Sequence, residues 1–177
     1  MSEWLTVYCT RPVARLAAAD LSAFLRAADL DTAAEAFGLD DESVVDAAVA
    51  LLEVIESPGD DASSSAPRLR VRYTDRPAAD VVVHLWSDPV GVGTECAEAL
   101  EELGEAHPDT ARSAAVRAGL DRTVEVVGIE LPWAAEDMGF VLAVQCANHF
   151  ARAGDGLLRD QDHEWWAVLD GVLTRLE

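Results

Sequence analysis

From residue 132 to about residue 153 the chain is apolar nearly all round, with its polar residues gathered at Gln145, Asn148, His149 and Arg152. A helix of that composition has no broad face to leave in water, so it predicts a central buried helix showing one narrow polar edge. The remaining chain must then supply the layers that cover it. It has 177 residues, 50% of them hydrophobic, enough for one shared core and too apolar for a disordered chain. Residues 1–177 therefore read as a single α+β domain.

Local patterns fill in the covering layers. Residues 5–9 have the β-branched and aromatic content of a strand. Residues 18–28 read as a helix, with Leu21, Phe24 and Leu25 at i, i+3 and i+4. A capping box at Thr32 and Glu35 opens a short helix that Gly38 closes. Asp40 or Asp41 caps a longer helix to about Ile55, with Val44, Ala48, Leu51, Leu52 and Ile55 as its apolar stripe. The Ser-, Pro- and Asp-rich stretch 57–67 reads as a mobile linker. Residues 68–74 and 80–86 read as an antiparallel hairpin, followed by a helix from Pro89 (capped by Asp88) or Thr94 to about 106. A short helix at 108–120, a strand at 123–131, a short strand at 156–159 and a C-terminal helix at 165–176 complete the order. The expected architecture is one sheet of four to five mostly antiparallel strands packed with helices.

Charge narrows the function classes. There are 33 Asp and Glu against 13 bases, every one arginine, for a net charge of -20. No Arg or Lys occurs at 27–67, 77–111 or 123–151. Phosphates would be repelled by such a field, which disfavours nucleic acid and anionic membranes. The longest apolar runs, 81–83 and 140–144, are far too short to span a bilayer. The first residues lack the basic and apolar regions of a signal peptide, so the chain reads as cytoplasmic and bacterial. Cys9, Cys96 and Cys146 are odd in number and widely spaced, giving neither a disulfide framework nor a zinc pattern, and no cofactor is expected.

Residues 32–52 resemble a helix-turn-helix, with Ala34, the turn glycine Gly38, the apolar Leu39, and Val44 and Leu51 in packing positions. This N-terminal αα-hairpin, with 68–86 as a wing, implies a winged-helix-like DNA-binding or regulatory module. Arg68, Arg70, Arg72 and Arg76 would be its anion contacts. Its second helix nevertheless carries Asp40, Asp41, Glu42 and Asp46 where a DNA reader would present basic or small polar groups.

On the helix ending near 106, Glu95, Glu98, Glu102 and Glu105 form a stripe at helical spacing, whose i, i+4 pairs repel by a few tenths of a kcal/mol each. A carboxylate row of this kind suits docking on a cationic surface. The leading expectation is a non-enzymatic acidic interaction protein that binds a basic protein partner, in the manner of a toxin-immunity inhibitor, with those four glutamates as the contact. A small enzyme is the third class, with its site at the Gln145/Asn148/His149 edge or the Asp160–Glu164 cluster. Genome composition, or adaptation to high salt, would also produce acidity, spread over the whole surface.

Overall fold

The computed structural model describes residues 3–13, 15, 18–57, 68–106, 111–170 and 172–176, with the backbone alone described at residues 3, 57, 68, 105, 106, 111 and 112. In chain order the elements are β1 (Glu3–Cys9), α1 (Ala18–Ala27), α2 (Leu30–Ala36), α3 (Glu42–Leu51), β2 (Glu53–Ser57), β3 (Arg68–Arg72), a 3-10 turn (Pro77–Ala79) and β4 (Val81–Trp86). Then come α4 (Pro89–Ala106), α5 (Ala111–Leu120), β5 (Glu125–Leu131), α6 (Asp137–Gly154), β6 (Leu157–Arg159), β7 (Trp165–Leu169) and β8 (Val172–Arg175). The strands form one eight-stranded sheet in the order β2-β3-β4-β5-β1-β6-β7-β8. Every pairing is antiparallel.

Strand alternation sends each face of the sheet into its own core. Leu5, Val7 and Cys9 of β1, Val83 and Leu85 of β4, and Val127 and Ile129 of β5 join α1, α2, α3 and α6 in the larger core. Tyr8, Val126, Leu157 and Trp165 point the other way and meet Val92, Ala99 and Leu103 of α4 and Val116 and Leu120 of α5. The molecule is thus a sheet between two helical layers.

The helix expected to be buried occupies the position its composition requires. It connects β5 to β6, the two strands flanking β1, and packs on both β1 and β5. Its other side is covered by α1, α2 and α3. Close approach needs a residue without a side chain at the end of α6, because a Cβ on Gly154 would lie 2.6 Å from Cys9 Sγ. Asp155 follows in the left-handed conformation, with φ 49° and ψ 51°, and ends the helix. Capping elsewhere follows the expectation in part: α2 is opened by Asp29, which accepts the Thr32 N–H at 3.1 Å, and not by a box at Thr32 and Glu35. Asp41 accepts the Ser43 N–H at 3.0 Å to start α3, and Asp88 accepts the Gly91 N–H at 2.7 Å at the start of α4.

Several expectations are corrected. The sheet has eight strands, not four to five. The expected C-terminal helix is the β7–β8 hairpin, in which the adjacent Trp165 and Trp166 face opposite cores, as only a strand permits. The helix expected to continue to Ile55 ends at Leu51, and Glu53–Ser57 forms an edge strand on β3. Helices α2 and α3 flank Gly38 at φ 79°, and the expected Ala34, Ala48 and Leu52 are buried, but Val45 takes the core position expected of Val44. Val44 and Leu51 are 39% and 50% exposed. With valine or leucine at 44, 45, 51 and 52, two helical phases competed, and packing on α6 selected the other. The hairpin at 68–86 is no free wing, since β3 and β4 lie between β2 and β5. Of the expected linker, Ser57 belongs to β2 and 58–67 lie outside the described residues. Among the described residues no helix is long and apolar enough to cross a membrane.

In an exposed helix Gly→Ala gains about 1 kcal/mol. Here the α6–β1 contact reverses the sign, and Gly154→Ala is expected to lose about 1–3 kcal/mol through overpacking against Cys9. Urea unfolding followed by circular dichroism checks it, a neutral or stabilising result counting against this close approach.

Candidate functional site

The four glutamates of α4 do not share one fate. Glu102 faces the sheet and pairs with Arg159 of β6, and its carboxylate also lies 3.4 Å from His163 Nδ1. Arg159 sits 6.0 Å from the Trp165 ring centroid, in cation–π range, beside the buried Tyr8. Burial pushes the Tyr8 phenol up to about 12, which Arg159 partly opposes. Glu95 is half-buried at the same junction. Its carboxyl is held above the usual range by desolvation and then by the neighbouring Glu98, against the pull of Arg159. Glu98 and its neighbour Glu101 are exposed, with no ion pair among the described residues. The side chain of Glu105 lies outside the described ones. The inner half of the stripe thus ties α4 to β6, while Glu98 and Glu101 face outward.

The arginine row is also divided. Arg70 and Arg72 stand on the sheet face opposite Leu69 and Val71. Arg72 reaches Asp80 at 3.4 Å and Glu53 at 3.7 Å, tying β3 to the start of β4 and to β2. Asp80 is only 2% exposed, so the pair sits at the edge of the core. Arg76 pairs with Glu136 just before α6. Arg70 is half-buried between the paired positions Ile55 and Val82. Arg68 pairs in register with Ser57 and His84, and its side chain lies outside the described ones.

Further along that face, Trp4, His84 and Trp86 form an aromatic row. His84 lies 5.0 Å from the Trp4 ring and 5.7 Å from the Trp86 ring, stacked on the latter at 11°. Its Nε2 is 3.1 Å from Glu130 Oε2. A Cβ on Gly128 would meet Trp86 at 2.6 Å and Trp4 at 3.0 Å, so the missing side chain makes room for both rings.

On the α6 edge Gln145, Asn148 and His149 are half-buried, and His149 meets α1. His149 stands between Phe24, at 4.8 Å, and Phe150, at 5.2 Å. Desolvation lowers its pKa, with Asp20 opposing. Its Nε2 and Asn148 Oδ1 are buried without a hydrogen-bond partner among the described residues. Cys146, one turn away, is fully buried in apolar surroundings that push its thiol up to about 12, far from a nucleophilic thiolate. Nothing here pairs a nucleophile with a base.

In the 160–164 cluster Asp160 is occupied by the β6–β7 turn and Glu164 by an ion pair, while Asp162 is exposed. Asp160 accepts the N–H groups of Asp162 at 3.0 Å and Glu164 at 2.9 Å, and the indole N–H of Trp166 at 2.8 Å. Glu164 pairs with Arg175 of β8 at 2.8 Å. Among the described residues no three His, Cys, Asp or Glu side chains are placed to hold a metal ion.

A surface that the sequence did not single out lies where α2 and α3 meet the start of α6. Phe37, 47% exposed, packs edge-on against Phe140 with 5.0 Å between centroids. One shallow cleft is lined by Gly38 to Val44, and a second by Leu131, Pro132, Trp133 and Phe140 with Glu136 and Asp137. Trp133 is 87% exposed. Trp133 falls in the run expected to be a buried helix from residue 132, but the helix begins at Asp137 and residues 132–136 form the turn before it, which leaves the indole outside. Comparison with protein families, curated proteins and solved structures finds no match to the chain.

Two outcomes follow. Arg72→Ala leaves the buried Asp80 carboxylate without its cation and is expected to cost roughly 3 kcal/mol in urea unfolding. A loss under 0.5 kcal/mol would return Arg72 to the solvent face. The second concerns His149, whose folded-state pKa is depressed. As pH falls through the ordinary histidine value near ~6.5, the unfolded chain takes up the proton first, so stability declines. In His149→Phe that part of the decline is absent, and the stability gap between variant and parent shifts in favour of the variant between pH 7 and 5. A pH-independent gap would contradict the buried neutral imidazole.

Proposed function

We propose that the chain is a non-enzymatic acidic interaction protein that binds a basic protein partner, in the manner of a toxin-immunity inhibitor. The observation that carries this reading is how the two signs of charge are used. Arg11, Arg72, Arg76, Arg159 and Arg175 are engaged in ion pairs within the fold. Arg26 donates to the Leu52 carbonyl. The acids Asp31, Glu35, Asp40, Glu42 and Asp46 of the α2–α3 layer, and Glu98 and Glu101 of α4, are exposed. These arginines are answered by carboxylates or a carbonyl within the fold, though Arg11, Arg76 and Arg175 stay largely exposed and Arg15, Arg117, Arg122 and Arg152 face solvent. The surplus that faces outward is anionic, a field that steers a basic partner in and repels polyanions.

The DNA-binding alternative has less support. Arg72 and Arg76 are committed to Asp80, Glu53 and Glu136, and the β3–β4 hairpin is enclosed by neighbouring strands. The enzymatic alternative has a buried imidazole whose Nε2 lacks a partner and a turn held by Asp160, but no coupled nucleophile and base among the described residues.

The contact on α4 is tested with basic proteins encoded beside this chain's gene, titrated calorimetrically at low and moderate salt. Binding that weakens with salt is expected, with roughly tenfold lower affinity for Glu98→Arg/Glu101→Arg, which spares the Glu102–Arg159 pair. Unchanged affinity in the double variant would remove α4 as the contact. Absence of salt-sensitive binding to any of those proteins would remove the function.

A further inference from the structure

We infer that the ridge of Phe37, Trp133 and Phe140 is the anchor surface for a basic protein segment that carries apolar side chains between its cationic ones. The inference rests on the basic-partner reading above and adds where the partner's apolar groups dock. It lies in the helical layer opposite α4, across the sheet.

Three observations converge on the ridge. First, Trp133 is 87% exposed, although the chain's other described tryptophans lie against its sheet, and Phe37 at 47% exposure is held in place by its edge contact with Phe140. Aromatic side chains held at a surface with little freedom left to lose are the usual anchors of protein interfaces. Second, Trp133 and Phe140 line one cleft, and another begins at Gly38, next to Phe37 in the chain, which offers concave seats beside the rings. Third, the rim is anionic. Asp40, Glu42 and Asp137 are exposed around the clefts, neither of which is lined by a base, and Arg76 nearby is taken by Glu136.

The rim decides the occupant. A second copy of the chain docking through this face would bring the same carboxylates together across a two-fold axis, at a net charge of -20 per copy. A segment that alternates arginine or lysine with aromatic or aliphatic side chains satisfies both features. Its apolar groups cover the ridge while its cations meet the rim, the arrangement of an apolar interface centre inside a polar border.

The experiment uses the full chain and two synthetic peptides of equal length and charge, one alternating arginine with leucine and tryptophan, the other alternating arginine with serine. Binding is read by fluorescence anisotropy at physiological salt, against the parent chain, Trp133→Ser, Phe37→Ser and Glu98→Arg/Glu101→Arg. Trp133 is exposed enough to be replaced without touching the core. The proposal expects the apolar peptide to bind roughly tenfold or more tightly than the serine peptide, and Trp133→Ser to weaken it by about thirtyfold, the loss typical of an interface anchor. Amide shifts on binding should fall at residues 37–44 and 131–140. Equal affinity for the two peptides, or an unaffected Trp133→Ser, overturns it. If binding then depends only on Glu98 and Glu101, the basic-partner reading survives and the anchor surface does not. If neither peptide binds, both fall. A dimer of the parent chain that dissociates in Trp133→Ser would make the ridge a self-interface and overturn it equally.

Discussion

The packing of α6 on β1 and β5 is the contact on which the rest of the molecule depends. Val141, Leu142, Cys146, Ala147 and Phe150 are buried along the helix, and Gly154 brings its end against Cys9. Since α6 joins the two strands on either side of β1, seating it sets the centre of the sheet. Burying so many methyl and aromatic groups stabilises by about 1.5–3 kcal/mol for each large side chain, far more than any surface ion pair contributes. The helix is apolar on its outer side too, so α1, α2 and α3 must cover it. That requirement places an acidic segment of the chain as an outer layer over α6.

Electrostatics then works at the margins of this core. Arg72, Arg159 and Arg175 link neighbouring strands or a strand to a helix, each near the rim of a hydrophobic cluster. Glu95 and Glu102 take part in the same joints. Other acids cap helices or hold turns, as Asp41, Asp88 and Asp160 do, and Glu130 meets His84. Exposed acids such as Glu98 and Glu101 add to the outward field, and like charges at i, i+4 oppose folding slightly.

Much of the fold was legible because it followed from single strong patterns. The largely apolar run at 132–153 predicted α6 and its burial, although residues 132–136 form a turn ahead of the helix. Asp41 and Asp88 marked helix starts, and alternation in 68–72 and 81–86 marked strands. The failures occurred where apolar residues fit two periods. In 165–176, Trp165 and Trp166 stand side by side, which reads as one end of a helical face or as two faces of a strand, and pairing with β6 decided it. In 44–52, adjacent valines and leucines left the helical phase open. Ile55 belonged to a strand whose partner β3 lies across a stretch without periodicity. For the candidate surfaces, the acidity of α4 was readable as a stripe, but not that Arg159 would claim its inner edge. The ridge of Phe37, Trp133 and Phe140 unites residues about a hundred positions apart in sequence, so no local pattern announced it.

On the proposed reading, the outward acids serve association and not the fold. Its most direct test is the urea midpoint of the triple variant Glu35→Gln/Asp40→Asn/Asp46→Asn, measured with and without the arginine, leucine and tryptophan peptide. These three carboxylates are exposed and cap no helix. The account predicts a variant as stable alone as the parent, or slightly more so at low salt as repulsion is relieved, whose midpoint the peptide raises much less than it raises the parent's. A variant that loses stability alone, or gains as much from the peptide as the parent does, would contradict it.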